Sequence, residues 1–448
     1  MKEKYKDLFK RILWAKEEGN FKSEVGNILK ESGNEKKKLS KVISSLCGVT
    51  VEYIDDENFI NSLESAMKGY ERKAKIVHKI GECTMECADE EGKTLCQKAC
   101  PFNAILNEEN KIYINEDLCT DCGRCVTACE NGGYLDRIEF MPLVDILKSD
   151  VPVIAAVAPA IAGQFGRDVS LEKMRTAFKK VGFSDMVEVA FFADMLTLKE
   201  AIEFDAHVKS EKDIMITSCC CPMWVGMLKR VYKDLVKDVS PSVSPMIAAG
   251  RVLKKLNPNC KVVFVGPCIA KKAEAKNEDI KGAIDFVLTF EEVKGIFEVL
   301  DINPSGMEED FTSEYASREG RLYARTGGVS IAVSEAIETL FPERKGKVKT
   351  AQAHGVKECK EILDKAVKGE IDANFIEGMG CIGGCVGGPK ALIPAEEGKK
   401  IVDETAENSK VRVSLNNECM NEVLKLIGID GVEDFKNKEK IQIFEREF

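Results

Sequence analysis

The chain opens on apolar positions at helical spacing. In "YKDLFKRILWA" and "FINSLESAMKGY" they recur every three to four residues, which predicts amphipathic helices across residues 1–77. The charged "ESGNEKKKLSK" between them reads as a solvated break. From about residue 141 the pattern changes. The short apolar runs "VPVIAAVA", "DMVEVA", "DIMITS", "KVVFVG", "IDFVLTF" and "ANFIE" predict strands. Amphipathic stretches such as "LEKMRTAFKKVG", "MLTLKEAIEFDAHVK" and "EEVKGIFEVL" lie between several of them. That alternation predicts an α/β fold with largely parallel sheets flanked by helices. No repeat period or low-complexity segment appears.

Length and charge narrow the picture. A chain of 448 residues exceeds one hydrophobic core. Three segments are expected: a helical one at 1–77, a cysteine-rich one at 78–140 and a larger α/β domain at 141–448. The N-terminus is charged and lacks the apolar run of a secretory signal. The longest uncharged apolar stretch, residues 151–166, is broken by Pro152 and Pro159 and is too short to span a bilayer. A soluble, cytoplasmic protein with no membrane partner is expected. The net charge of −10, with signs mixed throughout, argues against a nucleic-acid partner, which needs a basic face.

The 18 cysteines change the picture most. In a reducing compartment they serve metals or catalysis rather than disulfides. Cys47, Cys260, Cys359 and Cys419 stand alone and read as core residues; the others cluster. Cys119, Cys122, Cys125 and Cys129 follow two-, two- and three-residue gaps, the spacing that wraps three thiolates around one iron–sulfur cube and sends the fourth to a neighbour. Cys83, Cys87, Cys96 and Cys100 form a stretched version, with "ADEEGKTL" inserted and the closing Cys100-Pro101 kept. The crossing pattern assigns one 4Fe–4S cluster to Cys83, Cys87, Cys96 and Cys129. It assigns the other to Cys100, Cys119, Cys122 and Cys125. Paired zinc sites are the competing reading, but zinc ribbons pair two CxxC knuckles and do not produce this run. The segment resembles a bacterial two-cluster ferredoxin.

Further cysteines follow three predicted strands: Cys219, Cys220 and Cys221 after "DIMITS", Cys268 after "KVVFVGP", Cys381 and Cys385 after "ANFIEGMG". Ligand sites in open α/β sheets lie beyond the carboxyl ends of strands, so these are expected to share one pocket. "TSCCCPMW", "GPCIAKKAE" and "EGMGCIGGCVGGP" resemble, in order and spacing, the three active-site motifs of the iron-only (FeFe) hydrogenases. The triplet is similar to the subset called group B. The resemblance implies an H-cluster domain of two lobes, and an H-cluster in which a 4Fe–4S cube is bridged by cysteine to a two-iron unit with CO, cyanide and a dithiolate.

By the same resemblance, Cys221, Cys268, Cys381 and Cys385 are cube ligands, with Cys385 the bridge. Lys271 donates to a cyanide, Met379 packs near the two irons, and Pro159 and Ala160 border them. Counting back from Pro222 and Trp224 makes Cys221 the ligand and Cys220 the proton-transfer thiol. Counting from Thr217 shifts these to Cys220 and Cys219. The first count is preferred because Ser240 and Glu200 fit its register. The implied proton route is Cys220, a water, Glu200, Ser240 and Glu203, with Glu200 and Glu203 on one helical face and Glu200 raised in pKa by burial. Gly266, Gly380 and Ala160 stand where Met, Ala and Ser are usual, a change expected to loosen the pocket. The implied activity is interconversion of protons, electrons and H2, with electrons relayed by the two 4Fe–4S clusters to ferredoxin or a similar small carrier. The two-iron unit implies maturation proteins. An H2 sensor with slow turnover and an iron–sulfur assembly protein are the alternatives. Residues 390–448 leave no room for an appended signalling domain, which favours the enzyme.

Overall fold

The structure is a computed structural model that describes residues 3–71, 75–109, 111–210, 212–313 and 315–448. The chain divides into two compact units. The first comprises Met1–Asp150, Ile269–Lys276 and Glu291–Asn303; the second comprises Val151–Cys268, Asn277–Phe290 and Pro304–Phe448. The helical and cysteine-rich segments thus share one compact unit with two stretches returned from later in the chain.

The first unit begins with four helices, α1 (Glu3–Glu17), α2 (Phe21–Glu31), α3 (Lys36–Leu46) and α4 (Asp56–Lys68). Tyr5, Phe9, Ile12 and Leu13 of α1 are buried at helical spacing. The Asp55 carboxylate caps α4 by accepting from the Asn58 amide at 2.8 Å. Next come β1 (Val77–Lys79), α5 (Leu95–Ala99), β2 (Ile105–Glu108), β3 (Lys111–Ile114), α6 (Arg124–Ala128), β4 (Tyr134–Asp136) and α7 (Phe140–Leu147). β1 pairs with β4 and β2 with β3, both antiparallel. A small core of Ile76, Val77, Ile105, Ile112, Val126 and Tyr134 holds them together, and Ile269 is packed into it. Gly123, at a φ of 76°, turns into α6 directly beneath Ile269, whose side chain lies where a Cβ at 123 would stand. The buried ammonium of Lys272 pairs with Glu292 and, at 3.1 Å, with Asp136. Burial works against its charge, but these carboxylates outweigh it and keep its pKa above the ordinary lysine value.

The second unit contains two parallel sheets. β5 (Val153–Val157), α8 (Leu171–Val181), β6 (Asp185–Glu188) and α9 (Val189–His207) begin it, followed by β7 (Met215–Ile216), β8 (Lys261–Gly266), β9 (Phe286–Thr289), β10 (Thr350–His354) and β11 (Phe375–Met379). Four strands pair in the order β6-β5-β8-β9 and three in the order β10-β11-β7. All these pairings are parallel. The Ser170 hydroxyl caps α8, and Gly182 ends it in the left-handed region at a φ of 116°. "DMVEVA" stops being a strand at Glu188, because Val189 and Ala190 enter α9, which is buried along nearly its whole length. β10 was not among the expected strands. It is a sheet edge with a polar, largely exposed "TAQAH" sequence, so no apolar run marks it.

Candidate functional site

Three loops of the second unit carry the site. Cys219–Cys221 follow β7, Cys268 follows β8, and Cys381 and Cys385 follow β11. The Trp224 indole lies against Gly378 of β11, where no Cβ fits, and its Nε1 donates to the Thr217 carbonyl at 2.8 Å. That contact fixes the first motif against the third. The Pro267 carbonyl accepts from the Lys390 amide at 3.0 Å, which brings the second motif to the tail of the third. The Ala158 amide donates to the Val265 carbonyl at 2.8 Å, so Pro159 and Ala160 leave β5 beside the turn that carries Cys268. Ala160 is buried and Pro159 half-buried.

The three neighbouring cysteines have three different surroundings. The Cys221 thiol accepts from the Gly380 amide at 3.3 Å. Cys220 is hydrogen-bonded to Cys385, and that bond, with burial, raises its pKa well above the ordinary thiol value. Cys219 accepts from the Thr217 hydroxyl at 3.2 Å. Burial, reinforced by the charge of Glu200, raises the Cys219 pKa as well. Thus Cys219, rather than Cys220, lies against the carboxylate chain. Thr217 and Cys219 meet side by side just beyond the end of β7 at Ile216.

The Thr217 hydroxyl lies within hydrogen-bond distance of both carboxyl oxygens of Glu200. Ser240 lies close enough to Glu200 to temper the rise of its pKa, and its hydroxyl donates to Glu203 at 2.6 Å. Glu200 is fully buried and Ser240 nearly so, whereas the Glu203 side chain keeps 24% of its exposure. Burial, then the neighbouring Glu203 charge, pushes the Glu200 carboxyl from 4.5 up to about 7. Sequence reasoning passed over three participants. Thr217 bridges Cys219 and Glu200, while the buried Lys199 ammonium holds Glu203 at 3.2 Å and Ser242 at 3.1 Å. Their only signal was proximity to residues already singled out.

Met379 ends β11 and is 1% exposed, with its sulfur against Gly384. Lys271 lies in the helix Ala270–Glu274 of the first unit, where its ammonium pairs with Glu274 at 2.6 Å and both side chains are buried. The expected loosening of the pocket does not occur. A Cβ at Gly380 would meet the Met223 side chain at 2.7 Å, and one at Gly266 would meet the Phe264 ring at 2.6 Å. Larger neighbours occupy the space that the small residues release.

In the first unit, Cys83, Cys87, Cys96 and Cys129 line one cavity of about 840 Å³. Cys119, Cys122 and Cys125 lie near enough to Cys100 for its charge to add to the burial that raises their pKa. Amide groups point at the sulfurs: Ala104 at Cys100 (3.2 Å), Asp121 at Cys119 (3.4 Å) and Gly133 at Cys129 (3.1 Å). Such N–H donors are what cluster-ligating thiolates use to tune potential. No cysteine among the described residues is in a disulfide. Nor do three His, Cys, Asp or Glu side chains among them converge as on a single metal ion. Two sets of four free thiols, one of them around an open volume, fit iron–sulfur cubes. The thiols gathered at the three loops of the second unit fit a further cube.

Comparison with known proteins gives the same direction. Residues 151–389 match the family model "Iron only hydrogenase large subunit, C-terminal domain", and residues 111–134 match a 4Fe-4S binding domain. The chain is 27% identical over 340 residues to the NADP-reducing hydrogenase subunit HndD of Solidesulfovibrio fructosivorans, covering 64% of this chain and 58% of that protein. It is 26% identical over 311 residues to iron hydrogenase 1 of Clostridium pasteurianum, covering 59% and 53%. The chain therefore spans little more than half the length of either. A cytosolic Fe-S cluster assembly factor of Xenopus tropicalis is 24% identical across 87% of this chain and 94% of its own length. An apo FeFe-hydrogenase of Chlamydomonas reinhardtii shares the fold, with a TM-score of 0.57 at 20% identity, over 69% of this chain and 98% of that one. No helix among the described residues is long and apolar enough to cross a membrane.

Proposed function

The chain belongs to the iron-only hydrogenase family, and from that premise we propose that it interconverts protons and electrons with H2, exchanging electrons with a small external carrier such as ferredoxin. The H-cluster, when bound, supplies the two-iron centre at which H2 is formed or split. Cys221, Cys268, Cys381 and Cys385 would hold its cube, and Cys385 would also hold the two-iron unit. Met379, Pro159 and Ala160 would line the pocket that takes that unit. Lys271 takes the cyanide-donor role on the strength of its motif alone. Cys83, Cys87, Cys96 and Cys129 hold one accessory 4Fe–4S cluster; Cys100, Cys119, Cys122 and Cys125 hold the other.

One observation carries this reading: a buried carboxyl with a pKa of about 7, bonded to Thr217 and neighboured by Ser240, whose hydroxyl donates to the partly exposed Glu203. A group poised near neutral pH gives and takes protons with little free-energy penalty in either direction. Glu200 exchanges a proton with Thr217 and the cysteine triplet on one side and with Ser240 and Glu203 on the other. The assembly-factor reading has one finding in its favour, the long alignment with the Xenopus protein. The buried carboxyl poised near neutral pH speaks for the enzyme instead.

The deciding experiment is anaerobic maturation with the two-iron unit, followed by H2 evolution from a reduced viologen dye. Turnover is expected. Negligible turnover in protein whose infrared spectrum shows bound CO and cyanide would overturn the enzyme reading in favour of a sensor. A chain that binds cubes but never accepts the two-iron unit would favour assembly.

A further inference from the structure

The cavity lined by Cys83, Cys87, Cys96 and Cys129 has a rim that runs against the charge of the whole chain. The protein carries −10 overall. Yet Lys4, Lys37, Lys38, Lys41 and Lys79 line this cavity, against the carboxylates of Glu82, Glu86 and Glu130 and the four cysteines, with Lys38 also paired to Glu35 at 3.7 Å. Four of the five lysines come from the N-terminal helices: Lys4 from α1, the others from α3. Lys37 and Lys41 lie four residues apart, on one face of α3, and both are exposed. Lys4 is exposed as well, with its ammonium 4.9 Å from the centre of the Tyr5 ring. Tyr5 is itself built into the cavity wall, and its hydroxyl donates to the Gly132 carbonyl at 3.0 Å. The first helix is thus tied to the loop that follows Cys129. α3 is held in place as well, its Ser45 carbonyl accepting from the Ile138 amide at 2.9 Å, so both lysine-bearing helices are anchored beside the cavity.

We propose that this lysine-rimmed mouth is the docking site of a small acidic iron–sulfur carrier protein, and that the helical N-terminal segment supplies its positive charge. The inference rests on the electron-exchange reading above and names the surface at which exchange takes place. Opposite charge concentrated on one patch steers diffusional encounter and fixes orientation, with a strong dependence on salt. Redox complexes bury little surface and dissociate readily, so a charged ring around a cluster cavity suits them better than an apolar face. Nothing in the rim calls for a large hydrophobic partner.

The test measures binding, on the full chain loaded with its 4Fe–4S clusters and without the two-iron unit. The probe is an acidic bacterial two-cluster ferredoxin, titrated by calorimetry at low and high salt. The variant Lys37→Glu/Lys41→Glu reverses two exposed rim charges, and Lys37→Gln/Lys41→Gln only removes them. Lys399→Glu/Lys400→Glu, on an exposed helix of the second unit, makes the same change in net charge elsewhere. Wild type is expected to bind at low salt and weaken steeply as salt rises. The rim reversal should weaken binding about tenfold or more, the neutral pair less, and the control pair hardly at all. Equal losses for the rim and control pairs, or no binding by wild type, would overturn the proposal. So would a wild type that ignores ferredoxin but binds anionic vesicles or a polynucleotide. Failure of the H2 assay does not touch this measurement, which requires no two-iron unit.

Discussion

The Thr217 hydroxyl lies 2.8 Å from one carboxyl oxygen of Glu200 and 2.9 Å from the other. A hydroxyl has one proton, so the pair can be read in either direction: Thr217 donates to a carboxylate, or a protonated Glu200 donates to Thr217. With the Glu200 pKa at about 7, both arrangements are populated near neutral pH. Replacing Glu200→Gln keeps the shape and the bond to Thr217 but removes the titrating proton. Turnover should fall by about a hundred- to ten-thousand-fold. The CO and cyanide infrared bands should be unchanged, since no proposed ligand is altered. Near-normal turnover in the variant would remove Glu200 from the route.

The same burial makes stability depend on pH. Glu200 rises from 4.5 to about 7, and Asp194, also fully buried, from 3.8 to about 7, in both cases chiefly through burial. A carboxyl with a raised folded-state pKa holds more protons folded than unfolded between the two values. Stability therefore falls as pH rises through that interval and levels off above it. Between pH ~4.5 and ~7 the denaturation midpoint of the wild type should decline relative to that of Glu200→Gln. Parallel profiles for the two proteins would show that Glu200 ionises without cost.

The cysteine triplet should separate by readout. Cys221→Ser is expected to lose iron and the cube's magnetic signature, because that thiol is the proposed ligand. Cys219→Ser should keep both and lose turnover, because its thiol adjoins Thr217 and Glu200. If Cys219→Ser turns over normally and Cys220→Ser does not, the route begins at Cys220.

Gly380→Ala tests how tightly the pocket is filled. The added methyl meets Met223, so the substitution should destabilise the protein by ~1–3 kcal/mol in a denaturant titration. Adding Met223→Ala should recover much of that loss beyond what the single changes sum to, the sign of direct contact. Independent, additive effects would contradict it.

The accessory clusters can be told apart by pairing distant cysteines. Cys83→Ser and Cys129→Ser should remove the same paramagnetic centre and about one cube of iron per chain, with the double variant little worse than either. Cys100→Ser should remove the other centre. If Cys129→Ser and Cys100→Ser share a phenotype, the crossed assignment is wrong.

Much of this was legible in the sequence. The strands of both sheets, apart from β10, stand out because buried parallel strands need continuous apolar runs. β10 escaped because an edge strand with water on one side can be polar. Glu200, Ser240 and Glu203 were readable as a group from motif register, and the structure brings them together. Thr217 and Lys199 were not, since nothing in a linear sequence marks a hydroxyl or an ammonium as facing a carboxylate until the helix and strand are packed. The order within the triplet could be preferred but not decided, for a related reason. Two counts were possible, and only the direction of each side chain distinguishes the neighbours. Gly266 and Gly380 misled because a small residue suggests a void, whereas Phe264 and Met223 fill the space.

Ile269 and Lys272 complete the first unit from the far side of the second motif, Ile269 beneath Gly123 and Lys272 between Asp136 and Glu292. A ribosome releasing this chain from its N-terminus delivers all eight accessory cysteines well before it delivers that plug. Until then the Lys272 ammonium has not reached Asp136, and Ile269 has not filled the space at Gly123. The unit that carries the accessory cysteines is therefore assembled from pieces made before and after much of the second unit, and its last piece is delivered only when translation reaches residue 303.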